Sequence, residues 1–423
     1  MHLEGLKIAV IGAGIGGLAA ARALALRGAE VTVLEQADKI REVGAGLQIS
    51  PNGAAVLRGL GMAPEKIGMA SEAVHLLDRS GRSAIRMELQ GPGPEVAGAV
   101  TPAAGAQGGY YLCHRADLIA ALAHGARSAG ARIRLLQRVE RVQTGPEPEI
   151  RIANHARMRP DLVVGADGLH SCLRRAILGE ADPAFTGQVA WRAVVPAAPE
   201  DPAGAEARVY MGPKRHLVTY PLRGGAYRNI VAVEERRDWA PDSWSHEDDP
   251  ENLRAAFRGF CPEVQSILGR VRRVHLWGLH RHEVAKNWTQ GASALLGDAA
   301  HPTLPFLAQG ANLALEDAWV LAEELSSAVE AGQGAEAGLA RYQQMRRSRT
   351  ARAIEAANRN AWKYHLSFPP LRFAAHSALR LAGRFTPGMM LNQFDWLYGL
   401  DVTGGRRLSE PLPCPQSQGD LCP

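Results

Sequence analysis

Three short stretches of this chain carry residue types that could do chemistry. The first is Gly12-x-Gly14-x-x-Gly17, with a further glycine at Gly16, followed at a distance by Glu35 and Gln36. In this pattern the first glycine permits a tight turn. The second lets the backbone approach a pyrophosphate, and the third lets a helix pack close on a strand. The free N–H groups and positive dipole end of that helix would hold the phosphates. Glu35 would accept hydrogen bonds from ribose hydroxyls. A dinucleotide is implied, with NAD and FAD both open. The second stretch is Leu296-Gly297-Asp298-Ala299-Ala300-His301-Pro302, followed by Gln309-Gly310-Ala311-Asn312 at the start of a helix. A carboxylate repels pyrophosphate but suits a sugar-alcohol hydroxyl, and the helix N-terminus would favour negative charge on a reduced ring. The third is Val163-Val164-Gly165-Ala166-Asp167-Gly168. Taken singly, the second and third are also ordinary strand-to-helix turns.

The elements that must position these residues follow from hydrophobic spacing. Leu6–Ile11 reads as a buried strand, Leu18–Arg27 as an Ala- and Leu-rich helix ended by Gly28, and Val31–Leu34 as a second strand. Such a β-α-β unit builds a parallel sheet. Val74–Leu89 alternates around Ser80-Gly81 as a hairpin, residues 90–109 form a Gly/Pro/Ala-rich loop, and Arg115–Ala129 is a helix. Ala131–Leu136, Leu162–Ala166 and Ala294–Leu296 read as further strands. Val189–Val195, Arg208–Tyr210, Leu217–Tyr220 and Asn229–Val233 suggest a second, mostly antiparallel sheet. From Gly310 to about Lys363 the chain reads as helical. Arg346, Arg347, Arg349 and Arg352 are expected on a solvated face. The Pro-rich tail from about Gly404 is expected to be disordered.

Composition sets outer limits. With 423 residues, 46% hydrophobic and 22% charged, the chain is neither disordered nor fibrous. Its net charge of +5 is too mild to argue for nucleic acid. Cys113, Cys172, Cys261, Cys414 and Cys422 are scattered, so neither a metal site nor a disulfide framework is expected, and a reducing cytoplasm fits best. No segment reads as membrane-spanning, and Met1–Gly5 leave no room for a signal peptide.

Together and in this order, the three motifs resemble the flavoprotein aromatic hydroxylases of the para-hydroxybenzoate hydroxylase type, over roughly residues 5–365. The resemblance implies an α/β fold: a Rossmann-like FAD-binding domain with a parallel sheet, interrupted by a mostly antiparallel substrate domain, plus C-terminal helices. Its expected bounds are 1–73, 101–182 and 275–363 for the FAD domain, 74–100 and 183–274 for the substrate domain, 364–403 for a helical segment, and 404–423 for the tail. It implies non-covalent FAD at Gly12, Gly14, Gly16, Gly17, Glu35, Gln36, Arg41, Arg115, Asp167, Asp298, Gly310, Ala311 and Asn312, with NADH or NADPH as a transient donor. The activity implied is hydroxylation of a small phenolic or hydroxypyridine ring with O₂ through a flavin C4a-hydroperoxide, by a monomer or homodimer.

His301-Pro-Thr-Leu-Pro305 and Leu313-Ala-Leu-Glu-Asp317 look like the branch with 3-hydroxybenzoate 6-hydroxylase, 6-hydroxynicotinate 3-monooxygenase and salicylate hydroxylase. His216 and Tyr220, at i and i+4, share one face of a strand. In that branch such a pair lies over the substrate ring, which would make His216 the general base and Tyr220 a hydrogen-bond partner of the substrate oxygen. The bland alternative is two half-buried strand residues with satisfied tips. Pro305 stands where the hydroxybenzoate 6-hydroxylase carries Gln beside the flavin, which leaves the substrate open. His301 reads as structural. Arg192 is either a substrate-carboxylate ligand or a salt-bridged structural residue. Two other functions remain open. One is hydroxylation of a polyprenylated ring, kept alive by the amphipathic stretch Trp362–Leu391. The other is a non-catalytic relative, which would be colourless. A flavin halogenase is disfavoured, since its Trp-x-Trp-x-Ile-Pro motif is absent.

Overall fold

The computed structural model describes residues 2–40, 45–89, 109–236, 246–385 and 393–408. Arg41, nearly all of the loop 90–109 and most of the tail lie outside them. The centre of the nucleotide-binding part is a five-stranded sheet in the order Ser293–Leu295, Leu162–Gly165, β1 (Lys7–Ile11), β2 (Glu30–Leu34), Arg132–Arg134, with all neighbours parallel. Both faces are covered, which is why β1 and Leu162–Gly165 are continuous apolar runs rather than alternating ones. Helix α1 (Ile15–Ala25) is buried along its whole length. Its small Gly and Ala side chains let it lie between the sheet and helix Gly310–Glu330. Its one cation, Arg22, donates to the carbonyls of Leu60 (2.6 Å) and Gly125 (2.5 Å).

The second sheet has eight strands, in the order Glu247–Asp248, Val274–Arg281, Ala184–Pro196, Tyr227–Glu235, Arg215–Leu222, Glu206–Gly212, Ala73–Asp78, Ser83–Glu88. Only Glu206–Gly212 with Ala73–Asp78 is parallel. Side-chain alternation gives the sheet two apolar faces. Val189, Trp191, Tyr210, Leu217, Ile230 and Ala232 pack on helices Pro250–Phe257 and Pro262–Gly269. The opposite face, with Ala190, Val231, Val233 and Trp277, packs on Phe306, Leu307, Ala353 and Leu397 from the nucleotide-binding part and the C-terminal helices. Since Leu217 belongs to the first face, His216, Val218 and Tyr220 belong to the second.

Two readings need correction. Arg346 is fully buried and paired with Glu316 and Asp317, and the half-buried Arg349 also binds Glu316. Only Arg347 and Arg352 are exposed as expected. The helix Ala335–Tyr364 packs this arginine edge against helix Gly310–Glu330, whose carboxylates lie in the core. Ala131–Leu136 is also shorter than expected, a strand only over Arg132–Arg134. It is followed by an antiparallel three-stranded sheet (Val139–Gln143, Glu149–Ile152, Arg157–Met158) that was not anticipated. Among the described residues no helix is long and apolar enough to cross a membrane.

Candidate active site

The glycine turn shows why those residue types stand there. Gly12 has φ +99°, and a Cβ on it would lie 2.5 Å from the Ala166 carbonyl oxygen. A Cβ on Gly17 would overlap the Gly12 carbonyl, so helix α1 lies against the turn as closely as the backbone allows. Gly14 is the extended N-cap of α1, with open space in front of it and no acidic residue in the first helical turn. The α1 N–H groups therefore point at an open position that suits a phosphate. Gly16 is different: a Cβ there would lie 2.5 Å from Leu296 Cδ2 and 3.1 Å from Ala314 Cβ, so its role is helix packing. Glu35, at the end of β2, accepts from the Ala13 and Ala37 amides, both at 2.8 Å. Its remaining lone pairs stay available to hydroxyls. Gln36 is exposed.

The other two motifs converge on the same end of the sheet. Asp167 Oδ2 accepts from the Cys172 amide (2.8 Å) and thiol (3.1 Å), while its Oδ1 is buried with no partner. Arg174 ties this turn to the Gly-Asp turn by donating to Ala299 O at 2.9 Å. Asp298 is exposed, yet the surrounding protein raises its carboxyl by desolvation, opposed by His301 and Arg115. Arg115 begins the helix Arg115–Ser128, and burial lowers its guanidinium. Gly310 and Ala311 begin the helix Gly310–Glu330, which has no side-chain cap and no acid in its first turn. The Asn312 side chain is held by the protein, while its backbone stays part of the helix start expected at the cofactor. It accepts from the Ser50 amide (3.0 Å) and donates to Gln48 O (3.1 Å) and Ala308 O (2.9 Å). It thus locks strand Gly46–Ile49 to the helix start.

These features fit FAD. Gly14 offers a free phosphate seat, Glu35 and the unpartnered Asp167 Oδ1 offer acceptors, and Asp298 faces open space beside a bare helix N-terminus. When bound there, FAD supplies redox chemistry that takes electrons from a nicotinamide donor and activates O₂.

The residues expected at the substrate stand on and against the second sheet. His216 is buried, with its ring 5.6 Å from Phe306 and 5.4 Å from Tyr364. Burial, then His365, pushes its imidazole well below the ordinary value, so it is neutral near pH 7. Tyr220 is buried against Gly46, where a Cβ would lie 2.6 Å from Tyr220 Cε2, and burial raises its phenol. Asn229, opposite Tyr220 on the neighbouring strand, accepts from the Gly46 amide at 2.7 Å and leaves Nδ2 buried without a partner. Pro305 begins the short turn that carries Phe306. Arg192 lies over the Trp277 ring at 4.2 Å, and burial, then Arg115, lowers it to about 9. His301 is sealed in the core with Asp317 at 2.5 Å, as its structural reading expected.

Several residues on this side were not anticipated. Tyr110 donates to Gln48 Oε1 at 2.7 Å and meets Tyr398 edge-on at 6.3 Å. Tyr364 is raised to about 12 by burial. His365 bonds His216 at 2.7 Å and Glu235 at 2.9 Å. No motif flagged Tyr364, His365 or Tyr398. The one sequence signal for the first two is the adjacent Tyr364-His365 pair at the end of the long helix.

Comparison with known proteins agrees with this geometry. The sequence pattern of the FAD binding domain matches residues 5–357. A 3-amino-4-hydroxybenzoate 2-monooxygenase from Streptomyces platensis is 34% identical over 409 residues, covering 94% of this chain and 96% of that protein. A 3-hydroxybenzoate 6-hydroxylase from Polaromonas naphthalenivorans is 34% identical over 412 residues, with the same coverage. Among solved structures, Klebsiella pneumoniae HpxO complexed with FAD and uric acid superposes with a TM-score of 0.77 at 25% identity, over 93% of this chain and 96% of that one.

Proposed function

The chain belongs to the FAD binding domain family, among its FAD-dependent monooxygenases that hydroxylate aromatic rings, and on that footing we propose that its substrate is a small phenol carrying a carboxylate, hydroxybenzoate-like in size. One observation carries the reading. His216 and Tyr220 stand on the one sheet face that meets strand Gly46–Ile49 and the Phe306 turn, with the Arg192 cation on the same sheet. Neutral His216 accepts the phenolic proton, which makes the ring electron-rich. Tyr220 holds the ring oxygen. Arg192, with Arg115 nearby, provides the positive field for the carboxylate. Phe306 and Pro305 keep water from the reacting edge. NADH or NADPH supplies the electrons.

A polyprenylated ring is not favoured. Tyr110, Tyr220, Tyr364 and Tyr398 gather their phenol groups in one region beside the Gly46 strand, which suits a small polar ring better than a long apolar chain. We further place the enzyme in a reducing cytoplasm, as the free buried thiols of Cys113, Cys172 and Cys261 suit, and as a monomer or homodimer. The domain bounds expected from sequence remain part of this proposal, except that strand Val274–Arg281 pairs within the second sheet and moves the end of the substrate domain from 274 to 281.

The test is NAD(P)H oxidation against a panel of hydroxybenzoates, aminohydroxybenzoates, hydroxynicotinates and prenylphenols, with product measured against hydrogen peroxide. Coupled turnover of a carboxylated phenol is expected. Coupled turnover confined to prenylphenols would overturn the substrate reading.

A further inference from the structure

We propose that His365 and Glu235 are positioning residues that hold His216 in its basic tautomer and carry the phenolic proton to solvent, a role that rests on the substrate reading above. Three side chains far apart in sequence form a line. His216 Nδ1 lies 2.7 Å from His365 Nε2, with ring centroids 4.9 Å apart. His365 Nδ1 lies 2.9 Å from Glu235 Oε1. His216 is at the inner end, buried beside Phe306 and Tyr364. Glu235 is at the other end, 40% exposed, whereas His365 between them is 1% exposed. The line thus has one end at the substrate and the other in water.

The polarity of the line follows from its outer end. A carboxylate can only accept, so His365 Nδ1 must carry the proton and donate it to Glu235. A neutral His365 then has its lone pair on Nε2. His216 Nδ1–H must donate to that lone pair, which places the His216 lone pair on Nε2, the nitrogen not engaged with His365. Glu235 therefore decides, two hydrogen bonds away, that His216 is a base and not a donor toward the ring.

The same arrangement moves a proton without net charge build-up on the buried rings. The substrate O–H gives its proton to His216 Nε2, His216 Nδ1–H passes one to His365 Nε2, and His365 Nδ1–H passes one to Glu235 and on to water. One proton enters and one leaves, and no electrons change hands. The reverse sequence resets both tautomers when the ring oxygen regains a proton as the hydroxylated ring rearomatises.

Backbone contacts fix the line in place. The Lys214 amide donates to His365 O at 3.1 Å, and the Glu235 amide donates to Lys214 O at 2.8 Å, so one hairpin turn grips both residues. Other charges facing the line are few. Arg215 lowers His365 against the pull of Glu235 and is itself paired with Glu234 at 3.0 Å, while Tyr364 faces His216. Burial comes first among the causes that hold both histidines below the ordinary imidazole value, which keeps the resting line neutral.

The experiment uses FAD-loaded Glu235→Lys and Glu235→Asp. A lysine ammonium can only donate to His365 Nδ1, which inverts both histidines and leaves His216 Nε2–H pointed at the ring. Nitrogen-15 spectra of histidine-labelled holoenzyme, with the His216 signal assigned by its loss in His216→Gln, read the tautomer without substrate. The expected result is Nδ1–H in wild type and Glu235→Asp and Nε2–H in Glu235→Lys. In Glu235→Lys the bound phenol, followed by its ultraviolet ionisation spectrum, should need higher pH to ionise, and kcat of hydroxylation should fall about 10²-fold with KM little changed. The same tautomer in all three proteins, or an unmoved phenol ionisation, would overturn the proposal. A tautomer that switches in an enzyme whose wild type hydroxylates no phenol would support the line and refute the substrate reading instead.

Discussion

Two histidine–carboxylate clusters in this molecule use the same chemical groups to opposite ends. In one, His301, Asp317, Arg346, Glu316 and Asn52 are all buried and bonded to one another. Asp317 also accepts from the Gly297 amide at 3.1 Å, so the cluster anchors the turn that presents Asp298. In the other, His216, His365 and Glu235 form an open line from the inner end to solvent. A closed cluster can only hold shape, because a proton that enters has nowhere to go. An open line can pass one. Ion pairing alone therefore does not mark a functional histidine; the state of its two ends does.

The comparison can be broken in four ways, taken from the largest expected effect. Arg346→Met leaves Glu316 and Asp317 buried without their cation and should cost about 3–5 kcal/mol of stability by denaturant unfolding. An unchanged midpoint would show that the closed cluster is not structural. His216→Ala should lower hydroxylation about 10²-fold or more while FAD stays bound and the unfolding midpoint moves far less than in Arg346→Met. Equal losses of stability in the two variants would erase the distinction. Next comes His301→Gln, which keeps a donor toward Asp317. It should retain hydroxylation within about threefold while losing roughly 1–2 kcal/mol of stability. A collapse of turnover in a folded protein would make His301 catalytic.

The smallest effect is pH. Burial pushes the Glu316 and Asp317 carboxyls up, and Arg346, with Arg349 on Glu316 and His301 on Asp317, more than reverses this. Their contribution is full above the unfolded carboxyl values near about pH 4 and fades as pH falls through the lowered folded values. The two line histidines are also lowered, so the unfolded chain takes up protons first. Their contribution is full above about pH 6.5 and fades below it. Unfolding midpoints between pH 8 and 5 should therefore decline in wild type and decline less in His216→Gln. Identical slopes would show that the line does not titrate on unfolding.

Much of the nucleotide side was legible locally. The Gly12–Gly17 spacing, the apolar run before it and Glu35 after it define a turn whose sterics are set within a few residues, and the geometry at Gly12, Gly14 and Gly17 follows that logic. The strand carrying His216 and Tyr220 was also legible, because a period of two is a local property. The arginine face of the long helix was not. Arg346 and Arg347 are adjacent and chemically identical, yet one is sealed in the core and the other is exposed. The difference lies in the carboxylates of a separate helix. Nor were the distant partners of the Asn312 side chain, the Ser50 amide and the Gln48 carbonyl, legible in the sequence.

The sequence by itself determined the backbone devices of this protein: the tight glycine turn, the parallel and antiparallel strands, the bare helix ends and the face on which His216 lies. Only the tertiary structure decided what that histidine can do. Its partner is 149 residues away, and that partner's carboxylate is a further long-range neighbour, 130 residues from it. Local spacing reports side-chain direction because backbone geometry repeats every two or 3.6 residues. It carries no record of which distant group completes a hydrogen bond, and here that group sets the tautomer of the base.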